Sequence, residues 1–216
     1  MYRLENVKYK DIIYIKSLEI LPQKTTCILG ESGGGKTTLI KLLNKMISPT
    51  SGDIFYKEKS LRKTDSVELR RDVVMLSQSP GIFPGSVRDN LLIGLKFSEK
   101  DPADDSKLVE IMKKVHLYKS LDDVAENLSG GEKQRVALGR VMLMDPKILL
   151  LDEPSSALDE KTERNIIKEV TDYVKTKNKT LIMVTHSKEI ARDHADEIIE
   201  MAQGRVIDKK VVDRNG

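Results

Sequence analysis

The sequence predicts an α/β fold in which a mainly parallel sheet is covered by helices on both faces. Short, unbroken apolar runs at residues 148–151 and 181–184 alternate with helical segments, and a glycine-rich loop joins an apolar strand to a helix. Strands that are buried on both faces of a parallel sheet need no polar alternation, which explains the unbroken runs. With 39% hydrophobic residues in 216, the chain can form one large domain with a substantial core.

The order of the elements indicates how that domain is arranged. Residues 2–9 and 12–21 are rich in β-branched and aromatic residues and predict an N-terminal antiparallel β-subdomain. The remaining predicted elements are strands over 25–29, 53–56, 73–77, 147–151, 180–184 and 197–201, and helices over 36–46, 160–177 and 188–194.

Between residues 86 and 144 the pattern is helical, with breakers at Asp101-Pro102 and at Ser129-Gly130-Gly131. We therefore expect a single domain over 1–216, with a core formed by 1–78 and 145–216. A helical subdomain over about 79–144 is expected to be inserted into that core.

Composition excludes some classes of protein. Lys and Arg total 37 and Asp and Glu total 34, and the resulting net charge of +3 is too mild to indicate nucleic acid as the main ligand. The single cysteine, Cys27, allows no internal disulfide and fits a reducing compartment. The longest wholly apolar stretches, such as residues 148–151, are far short of the roughly 20 residues that span a bilayer, so we expect any spanning to be done by another chain.

Residues 30–37 read GESGGGKT and fit the phosphate-loop pattern G-x-x-x-x-G-K-[ST]. Glycines let successive backbone N–H groups turn toward phosphate oxygens, and the following helix start adds partial positive charge. Lys36 is expected to reach the β- and γ-phosphates of ATP, and the Thr37 hydroxyl to hold Mg²⁺. The predicted ATP-binding residues are Gly30, Glu31, Ser32, Gly33, Gly34, Gly35, Lys36, Thr37 and Thr38.

Two adjacent acids, Asp152 and Glu153, follow the apolar run KILLL. Ligands of open α/β sheets bind at the carboxyl ends of strands, so Asp152 is placed to organise Mg²⁺ and Glu153 to polarise the water that attacks the γ-phosphate. Taken alone, two acids at a strand end are more typical of a solvated strand terminus, because such strand ends are common. The phosphate loop in the same chain favours the catalytic interpretation.

The segment NLSGGEKQR, residues 127–135, contains a capping box. Ser129 and Glu132 predict a helix that starts here and runs to about Met144. A cap does not explain Gly130 and Gly131, because glycine lowers helix stability. Glycines are expected where something must approach the backbone closely, and a helix start attracts anions. We therefore expect a second phosphate-binding surface at this position.

The run LSGGEKQR resembles the signature motif of the ABC (ATP-binding cassette) ATPases, which also carry a phosphate loop. The resemblance implies that two subunits pair head to tail, with each ATP between the phosphate loop of one and the signature of the other. It implies that Ser129, Gly130 and Gly131 bind the ATP of the partner subunit, Ser129 and Gly131 at its γ-phosphate.

Other positions resemble further motifs of that family. Gln78 matches the glutamine that senses Mg²⁺ and the attacking water, and His186 matches the histidine that contacts the γ-phosphate. The resemblance therefore implies Glu153, His186 and Gln78 as catalytic residues and Thr37, Gln78 and Asp152 as the Mg²⁺ site. Ser156 and Asp159 fall in the loop that communicates across the dimer.

The resemblance also implies an aromatic residue near the N-terminus that stacks on adenine. Tyr9 is the first candidate and Tyr14 the second. The spacing differs from that usual in the family, because the segment before the phosphate loop is short. The sequence departs from the family pattern again at Lys24, where glycine is common, and at Gly34, where serine is common.

Residues 77–94 resemble the stretch with which family members grip the cytoplasmic helices of a membrane permease, with Ile82 and Phe83 as apolar contacts. The alternative is a loop whose apolar side chains pack into the helical subdomain. The chain is most similar to small stand-alone ATP-binding subunits, closest to those of iron (metal) export systems. This implies an ATP-dependent homodimer with a separate permease, peripheral to the cytoplasmic face of the cell membrane.

Other classes remain as alternatives. A soluble ABC ATPase that acts on DNA would need a very long coiled coil between Lys36 and Ser129, for which there is no room, and the translation type carries two cassettes. A small-molecule kinase would not need Gly130 or His186, and an inactive regulatory cassette would be expected to lack Glu153 or His186.

Overall fold

The computed structural model describes residues 1–155 and 158–212, and within them the chain forms two β-sheets and seven α-helices. The strands are β1 (Tyr2–Tyr9), β2 (Ile13–Ile20), β3 (Thr25–Leu29), β4 (Ser51–Tyr56), β5 (Lys59–Ser60), β6 (Val73–Leu76), β7 (Ile148–Asp152), β8 (Thr180–Val184), β9 (Glu197–Ala202) and β10 (Arg205–Val211). The helices are α1 (Lys36–Leu43), α2 (Ser66–Asp72), α3 (Val87–Phe97), α4 (Asp105–Lys114), α5 (Gly130–Leu143), α6 (Glu160–Thr176) and α7 (Lys188–His194).

The larger sheet is mainly parallel, as the sequence predicts. Its strand order is β10-β9-β3-β8-β7-β6, and every neighbouring pair is parallel except β10 with β9. Strands β6, β7 and β8 therefore end at the same edge of the sheet.

Both faces of this sheet are buried. Leu149 and Leu151 of β7 pack in a cluster that includes α3, α4 and α5, whereas Ile148 and Leu150 pack in a second cluster with α1 and the smaller sheet. Burial on both sides removes any need for polar alternation, so the apolar runs of the sequence mark the central strands.

The smaller sheet is the antiparallel N-terminal one, with the order β2-β1-β4-β5. Its inward side chains alternate along β2, where Ile13, Ile15, Leu18 and Ile20 are buried. An antiparallel sheet with one solvated face gives this pattern.

Helices α3, α4 and α5 lie in chain order between the paired strands β6 and β7, so they are inserted into the α/β core. The limits of about 79 and 144 for the helical subdomain stay a prediction. No helix in the described part of the chain has the length and apolar character that crossing a bilayer requires.

Several predicted bounds were wrong. Helix α1 ends at Leu43, and Met46 is largely exposed instead of lying on the apolar face of the helix. Helix α2 and strands β5 and β10 were not predicted. Helix α2 buries a single residue, Leu69, and β10 is mostly exposed and charged, so neither leaves an apolar period in the sequence.

The turn between β9 and β10 supports the phosphate loop. The N–H of Gly204 donates to the carbonyl of Gly34 at 3.1 Å, and its carbonyl accepts from the N–H of Tyr14 at 2.9 Å. Gly204 has a φ of 73°, and a Cβ there would lie 1.9 Å from the carbonyl oxygen of Ile12. Only glycine fits between the β1–β2 turn and the phosphate loop.

We therefore expect Gly204→Ala to destabilise the protein by about 1–3 kcal/mol, through left-handed strain and the forced displacement of Ile12. For a chain of this size each kcal/mol lowers the unfolding midpoint by about 2–4 °C, which thermal denaturation would detect. Gly81→Ala is the matched control, because a Cβ at Gly81 meets nothing within 4 Å. Equal midpoints for the two variants would contradict the packing of this turn.

Candidate nucleotide-binding site

The phosphate loop runs from β3, whose five residues are all buried, into the first turn of α1. Three of its glycines have positive φ: Gly30 at 144°, Gly33 at 77° and Gly35 at 93°. At Gly30 a Cβ would lie 2.0 Å from the carbonyl oxygen of Met201. The first N–H groups of an α-helix have no acceptor within the helix, so the start of α1 is a ready anion site.

Lys36 folds back over this loop. Its Nζ donates to the carbonyl oxygens of Gly30 and Glu31, each at 2.7 Å. Burial lowers the pKa of Lys36, and the carboxylates of Glu153 and Asp152 oppose that effect. An ammonium group held in this way is placed to neutralise phosphate oxygens.

Asp152 is the last residue of β7 and is only 3% exposed. Its Oδ1 accepts a hydrogen bond from the Thr37 hydroxyl at 3.0 Å. Burial raises the pKa of Asp152; the Thr37 hydrogen bond opposes the rise, and the charge of Glu153 adds to it. The folded protein thus disfavours the charged carboxylate, and a nearby cation would stabilise it.

The oxygen atoms of Thr37 and Asp152 form the kind of donor set that Mg²⁺ prefers. Over residues 1–155 and 158–212 there is no group of three or more histidine, cysteine or acidic side chains that could hold a metal by itself. The donor set therefore fits a Mg²⁺ ion that takes its remaining ligands from phosphates and water.

Glu153 lies between two other predicted catalytic residues. Its Oε2 accepts from the carboxamide of Gln78 at 2.7 Å, and its Oε1 is 2.7 Å from Nε2 of His186. Gln78 follows β6, Glu153 follows β7 and His186 follows β8, so three neighbouring strands deliver them to one edge of the sheet. These side chains can act on one bound group.

The phosphate loop and this trio face the same cleft, of about 440 Å³. The residues that line it are Ile12, Ser32, Gly33, Gly34, Gly35, Lys36, Thr37, Thr38, Gln78, Glu153 and His186. Gly30 and Glu31 line an adjoining cleft of about 600 Å³ that also includes His186. Ile12, which we did not predict as a site residue, lies in the short turn between β1 and β2, and no sequence pattern marks it as a site residue.

The predicted signature residues lie elsewhere. Ser129, Gly130 and Gly131 are not among the described residues that line either cleft. The capping box is confirmed: the Ser129 hydroxyl accepts from the N–H of Glu132 at 3.3 Å, and Glu132 accepts from the N–H of Ser129 at 2.8 Å. These hydrogen bonds lower the pKa of Glu132 to about 2. A Cβ at Gly130 would meet no described atom within 4 Å, so this helix start is open to an outside group.

Among the remaining predicted residues, Asp159, Tyr9 and Tyr14 do not line the phosphate cleft. Asp159 caps α6, where its Oδ1 accepts from the N–H of Thr162 at 3.0 Å, and Ser156 lies outside the described residues. Tyr9 is partly buried against the core below the smaller sheet. Tyr14 is exposed, its ring lies 5.0 Å from the guanidinium of Arg205, and it lines a cleft that shares Ile12 with the phosphate cleft.

Comparison with known proteins agrees with this geometry. The sequence model of the family described as ABC transporter matches residues 15–156. The energy-coupling factor transporter ATP-binding protein EcfA1 of Mycoplasma mobile is 33% identical, over 96% of this chain and 78% of that protein. The ABC-type transporter fsqE of Aspergillus fumigatus is 34% identical over 88% of this chain, which spans only 15% of that longer protein.

Among solved structures, the chain resembles the dimeric, post-hydrolysis state of the ATP-binding cassette MJ0796 bound to ADP and Pi. The TM-score is 0.88, the identity is 28%, and the match covers 99% of both chains. The predicted fold class, a P-loop NTPase core with an antiparallel subdomain and inserted helices, is confirmed.

The buried carboxylate of Asp152 leads to a prediction about stability. Because burial raises its folded-state pKa, the nucleotide-free protein should be less stable than Asp152→Asn at neutral pH, where the acid is charged. The difference should shrink as the pH falls through the folded-state pKa and vanish below the unfolded-state value. Thermal unfolding without Mg²⁺ between about pH 4 and pH 8 would measure it.

Asp11→Asn makes the same chemical change at an exposed turn residue and is the control for the loss of a carboxylate. A wild type that is more stable than Asp152→Asn at neutral pH would contradict the assigned effect of burial.

Proposed function

The chain belongs to the ABC transporter family, whose ATP-binding domains hydrolyse ATP, and from that premise we propose that two copies clamp two ATP molecules and drive a separate membrane permease. The observation that carries the proposal is the split between two surfaces. Gln78, Glu153 and His186 converge beside the phosphate loop, while the open helix start at Ser129 lies outside that cleft. A second copy would bring the missing half of the site.

The phosphate loop residues, with Lys36 and the start of α1, are proposed to hold the triphosphate of ATP. Thr37 and Asp152, with Gln78, would hold Mg²⁺, which when bound supplies positive charge that neutralises the phosphates. The backbone N–H groups around Gly33 and Gly35 would contribute hydrogen bonds that need no reorganisation during the reaction.

Hydrolysis breaks the bond between the γ-phosphorus and the oxygen that bridges to the β-phosphate. The oxygen of a water molecule forms the new bond to phosphorus in line, ADP leaves, and Glu153 accepts the water proton. Both carboxylate oxygens of Glu153 are engaged by Gln78 and His186 in the structure. The γ-phosphate would offer His186 another acceptor and so free one carboxylate oxygen for the water.

The partner subunit would complete this site with Ser129, Gly130 and Gly131. An uncrowded Gly130 and a capped helix start suit an oxygen atom of the γ-phosphate that arrives from outside the chain. The loop that contains Ser156 and Asp159 would then lie between the two sites. MJ0796, which resembles this chain over its whole length, forms a dimer.

The contact with the permease is proposed for the loop after Gln78. The buried carboxamide of Asn90 holds this loop through the backbone of Phe83, donating to its carbonyl at 2.8 Å and accepting from its N–H at 2.9 Å. Phe97, 63% exposed, packs edge-on against Phe83 at 5.9 Å. This apolar pair, with Phe83 on the fixed loop and Phe97 at the end of α3, suits a cytoplasmic segment of a permease, which would place the chain at the inner face of the membrane.

For the adenine ring we propose Tyr9 and Tyr14 as the two candidates. Tyr14 has the more accessible ring, and Arg205 packs on it, whereas Tyr9 is partly buried. Transport of iron or another metal, as in the small stand-alone subunits that the sequence resembles, is proposed as the substrate class.

Glu153→Gln should lower ATP hydrolysis by about 10²–10⁴-fold, because a general base contributes this much, while ATP binding is kept. With the γ-phosphate intact, the two copies should stay paired, so size-exclusion chromatography with ATP and Mg²⁺ should show a dimer. Glu58→Gln makes the same chemical change at an exposed turn and should leave the rate unchanged. Normal hydrolysis by Glu153→Gln would disprove the role of Glu153.

Ser129→Arg, combined with Glu153→Gln, should abolish this ATP-dependent dimer, because a bulky side chain would fill the space that the partner's phosphate needs. Binding of ATP to the monomer should persist, as measured by equilibrium dialysis. Ser86→Arg removes an equivalent capping box, at the start of α3, and is the control for the lost cap. A dimer that forms as well with Ser129→Arg as with Ser86→Arg would rule out the shared site.

A further inference from the structure

Helix α5 carries a buried polar residue, Gln134, that the sequence analysis did not single out. Gln134 is 3% exposed, and its Nε2 donates a hydrogen bond to the main-chain carbonyl of Glu153 at 3.1 Å. The two residues belong to different layers of the fold, since α5 lies in the inserted helices and Glu153 follows β7. A side chain of the signature helix therefore reaches the backbone of the proposed general base in the same chain.

The backbone of Glu153 needs such support. Its φ of 48° lies in the left-handed region, where a residue other than glycine is strained and persists only if its surroundings hold it. Two hydrogen bonds hold the residue on both sides: its N–H donates to the carbonyl of Val184 at 3.2 Å, and its carbonyl accepts from Gln134. The direction of the Glu153 carboxylate toward Gln78 and His186 depends on this conformation.

Helix α5 is well suited to transmit a displacement. Its first turn is fixed by the capping box of Ser129, and Gln134 lies on the buried side, about 7–8 Å further along the axis at 1.5 Å per residue. The same helix also holds the loop that follows Gln78, because the guanidinium of Arg140 donates to the carbonyls of Gly81 at 3.0 Å and Asn90 at 2.8 Å. A small shift of α5 therefore reaches the groups around both Gln78 and Glu153.

We propose that Gln134 is a positioning residue that couples the two ATP sites of the dimer, by aligning Glu153 of one chain when the signature of that chain engages the partner's ATP. The proposal rests on the shared site of the proposed function. ATP in one site would draw the start of α5 toward its γ-phosphate, and Gln134 would carry that movement to the Glu153 that serves the other site. The hydrogen bond joins an uncharged amide to a carbonyl, so it acts on geometry rather than on the charge of Glu153.

The test is Gln134→Met, which keeps the length of the side chain and removes the donor. We expect kcat to fall about tenfold, KM for ATP to stay within about twofold, and the Hill coefficient to fall from near 2 in the wild type toward 1, since it is bounded by the number of sites. Steady-state ATP hydrolysis as a function of ATP concentration gives all three values. The pH profile of kcat should keep the wild-type shape.

Thr171→Val is the matched control, because it removes another buried side-chain hydroxyl, which donates to the carbonyl of Lys168 at 2.9 Å in α6 and lies 3.3 Å from Nδ1 of His194. It should match Gln134→Met in thermal stability but keep the wild-type kcat and Hill coefficient. If Gln134→Met does not fold, Gln134→Asn makes the same comparison, since it retains a carboxamide that is one methylene too short to reach Glu153.

Two results would overturn the proposal: a Gln134 variant with the kcat and Hill coefficient of Thr171→Val, or one whose kcat falls while its Hill coefficient stays at the wild-type value. Failure of the shared site itself would be visible separately. A wild-type Hill coefficient of 1, together with no ATP-dependent dimer of Glu153→Gln, would refute the proposed function regardless of any change at Gln134.

Discussion

The parallel pairing of β6, β7 and β8 is the constraint on which the site depends. The register joins Leu76 to Leu151 and Asp152 to Val184, so the three strands end side by side. Gln78, Glu153 and His186 follow these ends within two residues, so the strand pairing brings them close enough for both of the other side chains to contact the Glu153 carboxylate. Because both faces of the strands are buried, a slip in register would expose apolar side chains, and the hydrophobic core therefore fixes the catalytic geometry.

Burial acts on the two charged groups of the cleft in opposite directions. It lowers the pKa of Lys36 and raises the pKa of Asp152, so in each case the folded chain disfavours the charged form. A triphosphate supplies negative charge near Lys36, and a divalent cation supplies positive charge near Asp152. Burial of these two charged groups therefore lowers the stability of the free protein, and a ligand that carries both charges would offset this effect.

Periodicity predicted the fold class, which is confirmed, and glycine and charge marked the phosphate loop, Asp152 and Glu153 as candidates. Gln78 and His186 were identified by the family resemblance, and the structure places both in contact with Glu153. Residues whose role depends on tertiary contacts left no such mark. Gly204 is one glycine among 13 in the sequence, and only the fold shows that the backbone of Ile12 and Ile13 leaves it no room for a Cβ. Gln134 lies within the signature run LSGGEKQR, but the sequence does not show that it is buried, since a polar residue in a helix is usually solvated.

Helix α5 combines both kinds of residue: a sequence pattern marks its cap, Ser129, whereas only the fold shows the contact of Gln134. Its first residues do not line the cleft of their own chain, and a Cβ at Gly130 would meet no described atom within 4 Å. Five residues after Ser129, the same helix reaches the carbonyl of Glu153. A helix that served only as a scaffold would not need an open glycine start at one position and a buried amide at the next turn. Both are expected of an element that binds one nucleotide at its tip and controls the hydrolysis of another. In the proposed dimer, the nucleotide at the tip of α5 is the one held by the phosphate loop of the partner.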